Sequence, residues 1–289
     1  NAIRVVREHM CDLEWPLAYA EVTSEGRRLI ISLGDHLSNT TELALCMFNN
    51  DLRVLSKRAS VEEDMLTKIL ALSTGLHDIG KASRYYCKRQ NAFGKLTFPY
   101  HEFLSALFLY ILSWLSLGVS DSRLACIFRT SAKIVSRHHS SMPKRHPSNY
   151  TDENLIRIVR DAVQEVEGSD IMRALQPLSH NTQIKSELEI INSKINDIIP
   201  RLKNMRTSEI GSVIENIAKL SSNPRDMCDV MNELVVVRAI TGFLIIADNI
   251  VASRERRGTS DSPIPAYIGS WNRELERRLR GCNWVFESF

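Results

Sequence analysis

The chain has 289 residues, of which 44% are hydrophobic and 25% are charged, and this is ordinary for a soluble globular protein. The length predicts one large domain, or one domain with a substantial insertion, and the sequence contains neither an internal repeat nor a low-complexity tract. The net charge is only +3, so the composition excludes a strongly basic protein, and a nucleic-acid partner must be argued from local clusters.

The first 34 residues favour a small β element. Two short stretches rich in β-branched residues, 3–6 and 29–31, flank a turn-like Thr-Ser-Glu-Gly cluster at 23–26. We therefore predict a strand or hairpin element over residues 1–34.

Beyond about residue 35 the pattern favours helices. Ser60 and Glu63 form a capping box, and Asp121 is a capping residue for a later helix. The expected fold class is mainly α, with a main domain over 35–257 and a tail and final helix over 258–289, the last packing back through its aromatic residues. The predicted helices lie at roughly 35–57, 60–76, 101–117, 121–139, 152–167, 183–204, 207–220 and 225–255.

Two apolar stretches, 103–120 and 234–252, approach the length of a membrane span. Serines and a glycine dilute the first stretch, and the second contains Arg238 and Asp248. Both therefore fit core helices better than membrane spans, and no membrane partner is expected.

The six cysteines are scattered, with no C-x-x-C pair and no short regular spacing. This pattern favours a reduced intracellular set over a disulfide framework or a zinc site. Charged residues at positions 4, 7 and 8 argue against a signal peptide, so we expect a cytoplasmic protein.

The sequence His77-Asp78-Ile79-Gly80-Lys81 contains the sharpest chemical feature. Adjacent helical residues differ by about 100° in direction, so both members of a His-Asp pair can reach one side of a cavity. Imidazole and carboxylate together suit a first-row divalent metal, and a carboxylate can bridge two ions. Lys81 is predicted on the same face as His77, where its ammonium can meet a substrate phosphate. Gly80 leaves room for a close approach.

Other histidines accompany this pair. His36 lies in a predicted helix, His101 opens an apolar helix, and the doublet His138-His139 ends the next one. Any one of them alone is more often a capping or surface histidine. For the doublet the two interpretations are evenly balanced, because two adjacent imidazoles gain little unless something binds them.

Asp248 lies in a helix that is apolar nearly all round and is therefore predicted to be buried. A buried carboxylate without a cation costs several kcal/mol or becomes neutral. Arg238 is about 15 Å away along the helix axis, too far to pair with it. We therefore expect a metal ion to be the cation that pairs with Asp248.

The order His, His-Asp, His, His-His, Asp on consecutive helices resembles the HD superfamily of metal-dependent phosphohydrolases, a helical bundle. The lone His101 followed by the doublet is similar to the HD nuclease of type I CRISPR interference, in the form encoded apart from its helicase. Residues 13–257 resemble this family, and the long stretch 177–222 is predicted to be an inserted helical subdomain. Pro16-Leu17-Ala18-Tyr19 is also similar to the opening segment of the family.

The resemblance implies two divalent ions and a ligand set. Histidine-rich ligation favours manganese, iron, cobalt or nickel, with zinc and magnesium as further candidates. Asp78 and Lys81 are the implied catalytic residues, with Asp78 bridging the ions. The implied ligands are His36, His77, Asp78 and Asp248 for the first ion, and Asp78, His101, His138 and His139 for the second.

Basic clusters adjoin each ligand motif. Alone, each is as well explained by solvated helix ends and loops, but three together favour a track for phosphates. The predicted nucleic-acid contacts are Arg84, Lys88, Arg137, Lys144, Arg145 and Arg254.

Three functions therefore compete. The preferred one is a nuclease that cuts single-stranded DNA in CRISPR interference, because a site among helices receives an unpaired strand more easily than a stiff duplex. The chain lacks a G-x-x-x-x-G-K-[ST] loop, so a separate helicase subunit is expected, and the resemblance adds an RNA-guided effector complex. The alternatives are an HD phosphohydrolase acting on nucleotides or cyclic dinucleotides, which predicts few external basic residues, and a non-catalytic scaffold, which predicts lost ligands.

Overall fold

A small antiparallel sheet precedes the helices. The computed structural model describes residues 15–22, 28–91, 95–117, 121–139, 152–220, 232–256 and 272–282. Within them β1 (Leu17–Val22) pairs with β2 (Arg28–Ser32), which confirms a small β element near the N-terminus. The second strand contains the predicted stretch 29–31, whereas the first strand is 17–22, and the predicted stretch 3–6 lies outside the described residues. The first four residues of β1 are buried, so this strand packs into the core.

The rest of the described chain is mainly helical, which confirms the predicted fold class. Short 3-10 turns at Ile79–Ala82, Arg84–Tyr86 and Gln176–His180 join some of the helices. The α-helices are α1 (Leu33–Ala59), α2 (Glu63–Leu76), α3 (His101–Leu117), α4 (Ser122–Val135), α5 (Glu153–Gln164), α6 (Gly168–Leu175), α7 (Lys185–Asn204), α8 (Thr207–Ala218), α9 (Glu233–Glu255) and α10 (Asn272–Gly281).

Five helices enclose the part of the core that carries the histidines. Helix α1 packs against α2 and α9, α2 packs against α4, and α4 packs against α3. Aromatic residues contribute to these contacts, because the rings of Phe48 on α1 and Phe243 on α9 stack with centroids 4.3 Å apart. The ends of α2 and α4, the starts of α1 and α3, and the last two turns of α9 carry the predicted metal ligands.

Gly80 lets the chain after α2 lie directly on α3. A Cβ atom at this position would lie 2.2 Å from the carbonyl oxygen of His101 and 2.9 Å from the amide nitrogen of Ser105. The Gly80 N–H donates to the Ser105 hydroxyl at 2.8 Å, and that hydroxyl donates to the His101 carbonyl at 3.1 Å. The close approach predicted at Gly80 is therefore between its own backbone and the backbone of α3.

Residues 177–222 fold largely into α7 and α8. Helix α7 contacts α3, α5 and α6, and α8 contacts α3, α4 and α5. Ile191, Ile198, Ile210 and Ile214 are buried in the same core cluster as the helices around the histidines. The segment therefore shares the main core, and its status as an insertion stays a prediction.

Helix α9 differs from the predicted, nearly all-round burial. One face is buried, but Leu234 is 40% exposed and Arg238 is also exposed. By length and composition alone, α9 could cross a membrane. It contacts α1, α2 and α4 and carries Asp248 into the site, which is how a core helix behaves.

The predicted reduced state of the cysteines is wrong. Cys46 on α1 forms a disulfide with Cys282 just after α10, and Cys87 and Cys126 are also disulfide-bonded. The 236-residue separation of Cys46 and Cys282 leaves no local trace in the sequence, because only the packing of α10 on α1 brings them together. Helix α10 buries Leu275 and Leu279, whereas the aromatic residues predicted to anchor the tail lie outside the described residues.

Candidate metal centre

All seven predicted ligands meet in one site. Asp78 lies in a turn just after α2 rather than on the helix, and the doublet follows the end of α4. These positions differ slightly from the predicted ones, because the two helices end earlier than their apolar patterns suggest. The residues brought together are His36 in the first turn of α1, His77 and Asp78 after α2, His101 at the start of α3, His138 and His139 after α4, and Asp248 in α9.

The first group of ligand atoms surrounds Oδ2 of Asp78. His36 Nε2 lies 3.6 Å from this oxygen, and His77 Nε2 lies 3.5 Å from it. Oδ1 of Asp248 is 3.2 Å from His36 Nε2 and 3.6 Å from His77 Nε2. Two imidazoles and two carboxylates therefore face one small volume.

The second group surrounds Oδ1 of the same Asp78. His101 Nε2 lies 2.8 Å and His138 Nε2 lies 3.5 Å from this oxygen. His139 Nε2 is 3.3 Å from His101 Nε2. Within the set Asp78, His101, His138 and His139, and within the set His36, His77 and Asp78, the ligand atoms lie within 4.8 Å of one another. Asp78 thus presents one oxygen to each group.

Hydrogen bonds at Nδ1 orient the imidazoles. In His77, His101 and His138, Nδ1 lies 2.6–2.7 Å from the backbone carbonyl three residues earlier. A carbonyl can only accept, so Nδ1 carries the hydrogen and a neutral ring presents the lone pair of Nε2 to the site. This arrangement is typical of metal-binding histidines.

The buried polar atoms fit a divalent cation. His77 Nε2, Asp78 Oδ1 and His138 Nε2 are buried and have no hydrogen-bond donor or acceptor of their own. Lone pairs of imidazole and carboxylate that face one another repel unless a proton or a metal ion lies between them. The mixed nitrogen and oxygen donor set suits manganese, iron, cobalt, nickel or zinc.

The charges of the site are strongly coupled. Burial opposes ionisation of Asp78, but the adjacent Lys81 ammonium, together with His77 and His101, holds the pKa of this carboxyl well below its usual value. Burial likewise opposes ionisation of Asp248, yet its contacts with His36 and His77 hold its pKa well below the usual value. Both carboxylates are therefore charged at neutral pH.

The imidazoles differ in basicity. Burial would lower the pKa of His36, but hydrogen bonds to Asp248 and Glu255 raise it to about 9. Burial lowers the pKa of His101 despite the attraction of Asp78. Burial also acts to lower the pKa of His138, yet its interaction with Asp78 raises it. In the metal-free site, a proton on His36 partly balances the carboxylates.

Lys81 lies against the bridging carboxylate. Its Nζ is 2.5 Å from Asp78 Oδ2, 3.4 Å from the carbonyl oxygen of Ala18 and 5.2 Å from the centre of the Phe98 ring. The side chain is buried, so its ammonium belongs to the site rather than to solvent. Its contact with a substrate phosphate stays a prediction.

These features coincide with one known family. The family described as "Cas3, HD domain" matches residues 20–256, which is most of the chain. The chain belongs to this family. The match confirms the resemblance and makes the chain a metal-dependent nuclease of CRISPR interference. No curated protein and no solved structure matches it.

Glu255 is a site residue that the sequence analysis missed. Its Oε2 lies 2.8 Å from Nδ1 of His36, and its Oε1 accepts a hydrogen bond from the Asn39 amide at 3.2 Å. Glu255 follows Asp248 by seven residues on α9, which is two helical turns, so both residues lie on one face. This seven-residue spacing is the sequence feature from which Glu255 could have been predicted as a site residue.

The predicted nucleic-acid contacts occupy different environments. Arg84, Lys88 and Arg254 are all exposed, and Arg84 also forms an ion pair with the buried Asp170. Lys144 and Arg145 lie outside the described residues. These placements leave Lys88 and Arg254 as surface cations and tie Arg84 to the body of the protein.

The placement of Arg137 goes against its predicted contact with DNA. Its guanidinium is buried and donates to the carbonyl oxygens of Lys133, Ile217 and Ala218 at 2.6, 3.1 and 2.5 Å. The bonds to Ile217 and Ala218 satisfy carbonyls at the C-terminal end of α8, where a helix lacks internal donors, and the bond to Lys133 does the same near the end of α4. Arg137 therefore stabilises the junction of α4 and α8.

Proposed function

We propose that the chain hydrolyses single-stranded DNA at a centre of two divalent ions. The observation that carries this proposal is the division of Asp78, whose Oδ2 faces His36 and His77 while its Oδ1 faces His101 and His138. A single carboxylate shared by two groups of ligands is what a pair of neighbouring ions requires. Membership of the Cas3 HD family supports a nucleic-acid substrate.

Two ions roughly 3.5–4 Å apart would supply Lewis-acid activation of the scissile phosphate, a water of lowered pKa and charge neutralisation at the leaving oxygen. The chain's own residues hold the geometry. The Nδ1 contacts of His77, His101 and His138 keep each Nε2 aimed inward, and Asp248 lies between His36 and His77. Lys81, beside Asp78, is proposed to bind a non-bridging oxygen of the phosphate and to balance the charge that develops on it.

A single strand is the preferred substrate because the ligands are sunk among helices. His36, His77, Asp78, His101 and His138 are each at most 4% exposed, whereas Asp248 and His139 are more accessible. Bringing a duplex phosphate to such depth requires distortion or unpairing that costs a few kcal/mol. An unpaired strand bends at lower cost.

The unpairing is proposed to come from a separate helicase subunit, recruited with an RNA-guided effector complex. This partnership follows from membership of a CRISPR interference family. Such a system acts on DNA inside the cell, so we propose a cytoplasmic location.

The test is cleavage of matched single-stranded and duplex DNA by the protein loaded with manganese, without a helicase. We expect cleavage of the single strand and little cleavage of the duplex. Equal rates on both would contradict the substrate proposal, and activity confined to mononucleotides or cyclic dinucleotides would favour the alternative HD phosphohydrolase.

Asp78→Ala tests the shared ligand. We expect this variant to lose cleavage and to retain less than one of the two ions by elemental analysis, with an unchanged helical circular dichroism spectrum. His180→Ala is the matched control, because it removes an exposed histidine that is not one of the seven ligands. Retention of most of the activity in Asp78→Ala would contradict the two-ion proposal.

A further inference from the structure

Two cations from distant parts of the chain contact one buried ring. Lys95 Nζ lies 5.2 Å and Arg256 Cζ lies 4.4 Å from the centre of the Tyr19 ring. Tyr19 belongs to β1 and is 3% exposed, whereas both cations are partly exposed. The ring therefore contacts a lysine and an arginine that are both partly exposed.

The two cations repel each other. Burial and then the positive charge of Arg256 lower the pKa of Lys95, and Glu21 acts in the opposite direction. The Glu21 carboxylate also accepts a hydrogen bond from the Tyr19 hydroxyl, so it is the acidic group next to this pair. Holding two like charges against one ring costs free energy, which an anion between them would offset.

This cation pair adjoins the metal centre through the backbone. Tyr19 follows Ala18, whose carbonyl oxygen is 3.4 Å from the ammonium of Lys81. Arg256 follows Glu255, which contacts His36 at 2.8 Å. The Leu96 N–H donates to the carbonyl of Ala20 at 3.0 Å and so ties the segment of Lys95 to β1. Each cation is thus positioned by an element that also contacts a site residue.

We propose that Lys95 and Arg256, held on Tyr19, bind a backbone phosphate of the DNA strand beside the scissile phosphate. The inference rests on the proposed function and adds a substrate subsite to it. A phosphate group has enough oxygens to accept charge-assisted hydrogen bonds from both a lysine and an arginine. The buried ring of Tyr19 orients the cations and does not stack on a base.

The subsite can bind only a substrate that has a second phosphate beside the scissile one. The experiment therefore compares an oligonucleotide with a small diester that has a single phosphate. The double variant Lys95→Gln/Arg256→Gln is compared with the unaltered chain for binding of a single-stranded oligonucleotide without added metal. We expect affinity to fall by about tenfold or more and the salt slope to fall by about 0.7, since each phosphate that is neutralised on a single strand contributes about 0.7. Hydrolysis of bis(p-nitrophenyl) phosphate with manganese, a diester without neighbouring phosphates, should stay within about twofold, because its transition state needs only the metal centre.

Two controls separate charge from fold. Arg238→Gln removes the same charge from the exposed face of α9 near its opposite end and should leave DNA binding unchanged. Lys95→Arg keeps the charge and should retain most of the affinity. An unchanged salt slope in the double variant, or an equal loss with Arg238→Gln, would overturn the subsite. So would a parallel loss of hydrolysis of the small diester, since the substitutions would then act on the metal centre.

The binding comparison is independent of cleavage. If the unaltered chain binds the oligonucleotide but does not cut it, the proposed nuclease function fails while the measured salt slopes still decide the subsite.

Discussion

At the scale of single residues, His36 couples metal binding to pH. Its pKa of about 9 in the metal-free protein lies above the usual 6.5, so the ring is protonated at neutral pH and that proton competes with a metal ion. Raising the pH towards 9 removes this proton from His36. We expect metal affinity to rise by up to about tenfold per pH unit from this residue between pH 7 and 9 and to level off above.

Calorimetric titration with manganese in buffers of different ionisation enthalpy measures this effect directly. At pH 7.5 the number of protons released should include the one from His36. Binding without proton release at this pH would contradict the protonated state of His36.

Glu255 is expected to set the basicity of His36. In Glu255→Gln an amide can still accept from Nδ1, but the negative charge that raises the pKa of His36 is gone. Above pH 9, where the His36 proton no longer competes, we expect metal affinity to fall by about 10–100-fold, as for other groups that orient metal ligands. Between pH 7 and 9 the pH dependence should become shallower, because the pKa of His36 is lower in the variant. Glu276→Gln on the exposed face of α10 is the control. An unaltered pH dependence in Glu255→Gln would show that the carboxylate does not act through His36.

At the scale of elements, the contact between the turn after α2 and the start of α3 aligns the two ligand groups. Asp78 precedes this turn and His101 opens α3, and their ligand atoms are 2.8 Å apart. Gly80 and Ser105 hold the two elements together through the bond between them. Any side chain at position 80 must separate the two segments.

Gly80→Ala tests this contact. Its Cβ would lie 2.2 Å from a backbone oxygen, so we expect a loss of about 1–3 kcal/mol or more in the free energy of unfolding, together with weaker metal binding. Gly242→Ala is the matched control within helix α9, where a Cβ meets nothing within 4 Å. It should stabilise the protein by about 0.5–1 kcal/mol. Denaturant unfolding and elemental analysis measure both effects, and equal stability of the two variants would contradict the role of Gly80.

At the scale of the whole molecule, a disulfide and an ion pair attach α10 to α1. Cys282 is bonded to Cys46, and Arg278 pairs with Asp51. The bridge closes most of the chain into one covalent loop, which restricts the unfolded state. In contrast to the metal ligands, these residues lie on the part of α1 that is remote from His36.

Cys282→Ser should therefore reduce stability without emptying the metal site. We expect a loss of about 2–4 kcal/mol in the free energy of unfolding, measured with denaturant under non-reducing conditions. Metal content should match that of the unaltered chain. A variant of unchanged stability would mean that α10 contributes nothing through its covalent link.

The sequence alone determined the mainly helical fold and the residues of the metal centre. Helical periodicity is local, as is the cap that Asp121 supplies to α4, whereas the predicted capping box of Ser60 and Glu63 is wrong because Ser60 ends α1. Ligands such as His77 and Asp78 are recognised by their type and order along the chain. The family match over residues 20–256 reflects the same information. The neighbours of a residue in the chain suffice for the helical fold, whereas the ligand set follows from the order of the motifs along the whole chain.

Only the tertiary structure decided how the ligands are grouped and which other residues join them. The two oxygens of Asp78 face different histidines because α1 and α2 approach it from one side while α3 and α4 approach from the other. Burial of Arg137 beneath α8, the Cys46–Cys282 bridge and the meeting of Lys95 with Arg256 also depend on segments far apart in the sequence. Such contacts arise when helices pack, and packing joins residues whose local patterns carry no record of each other.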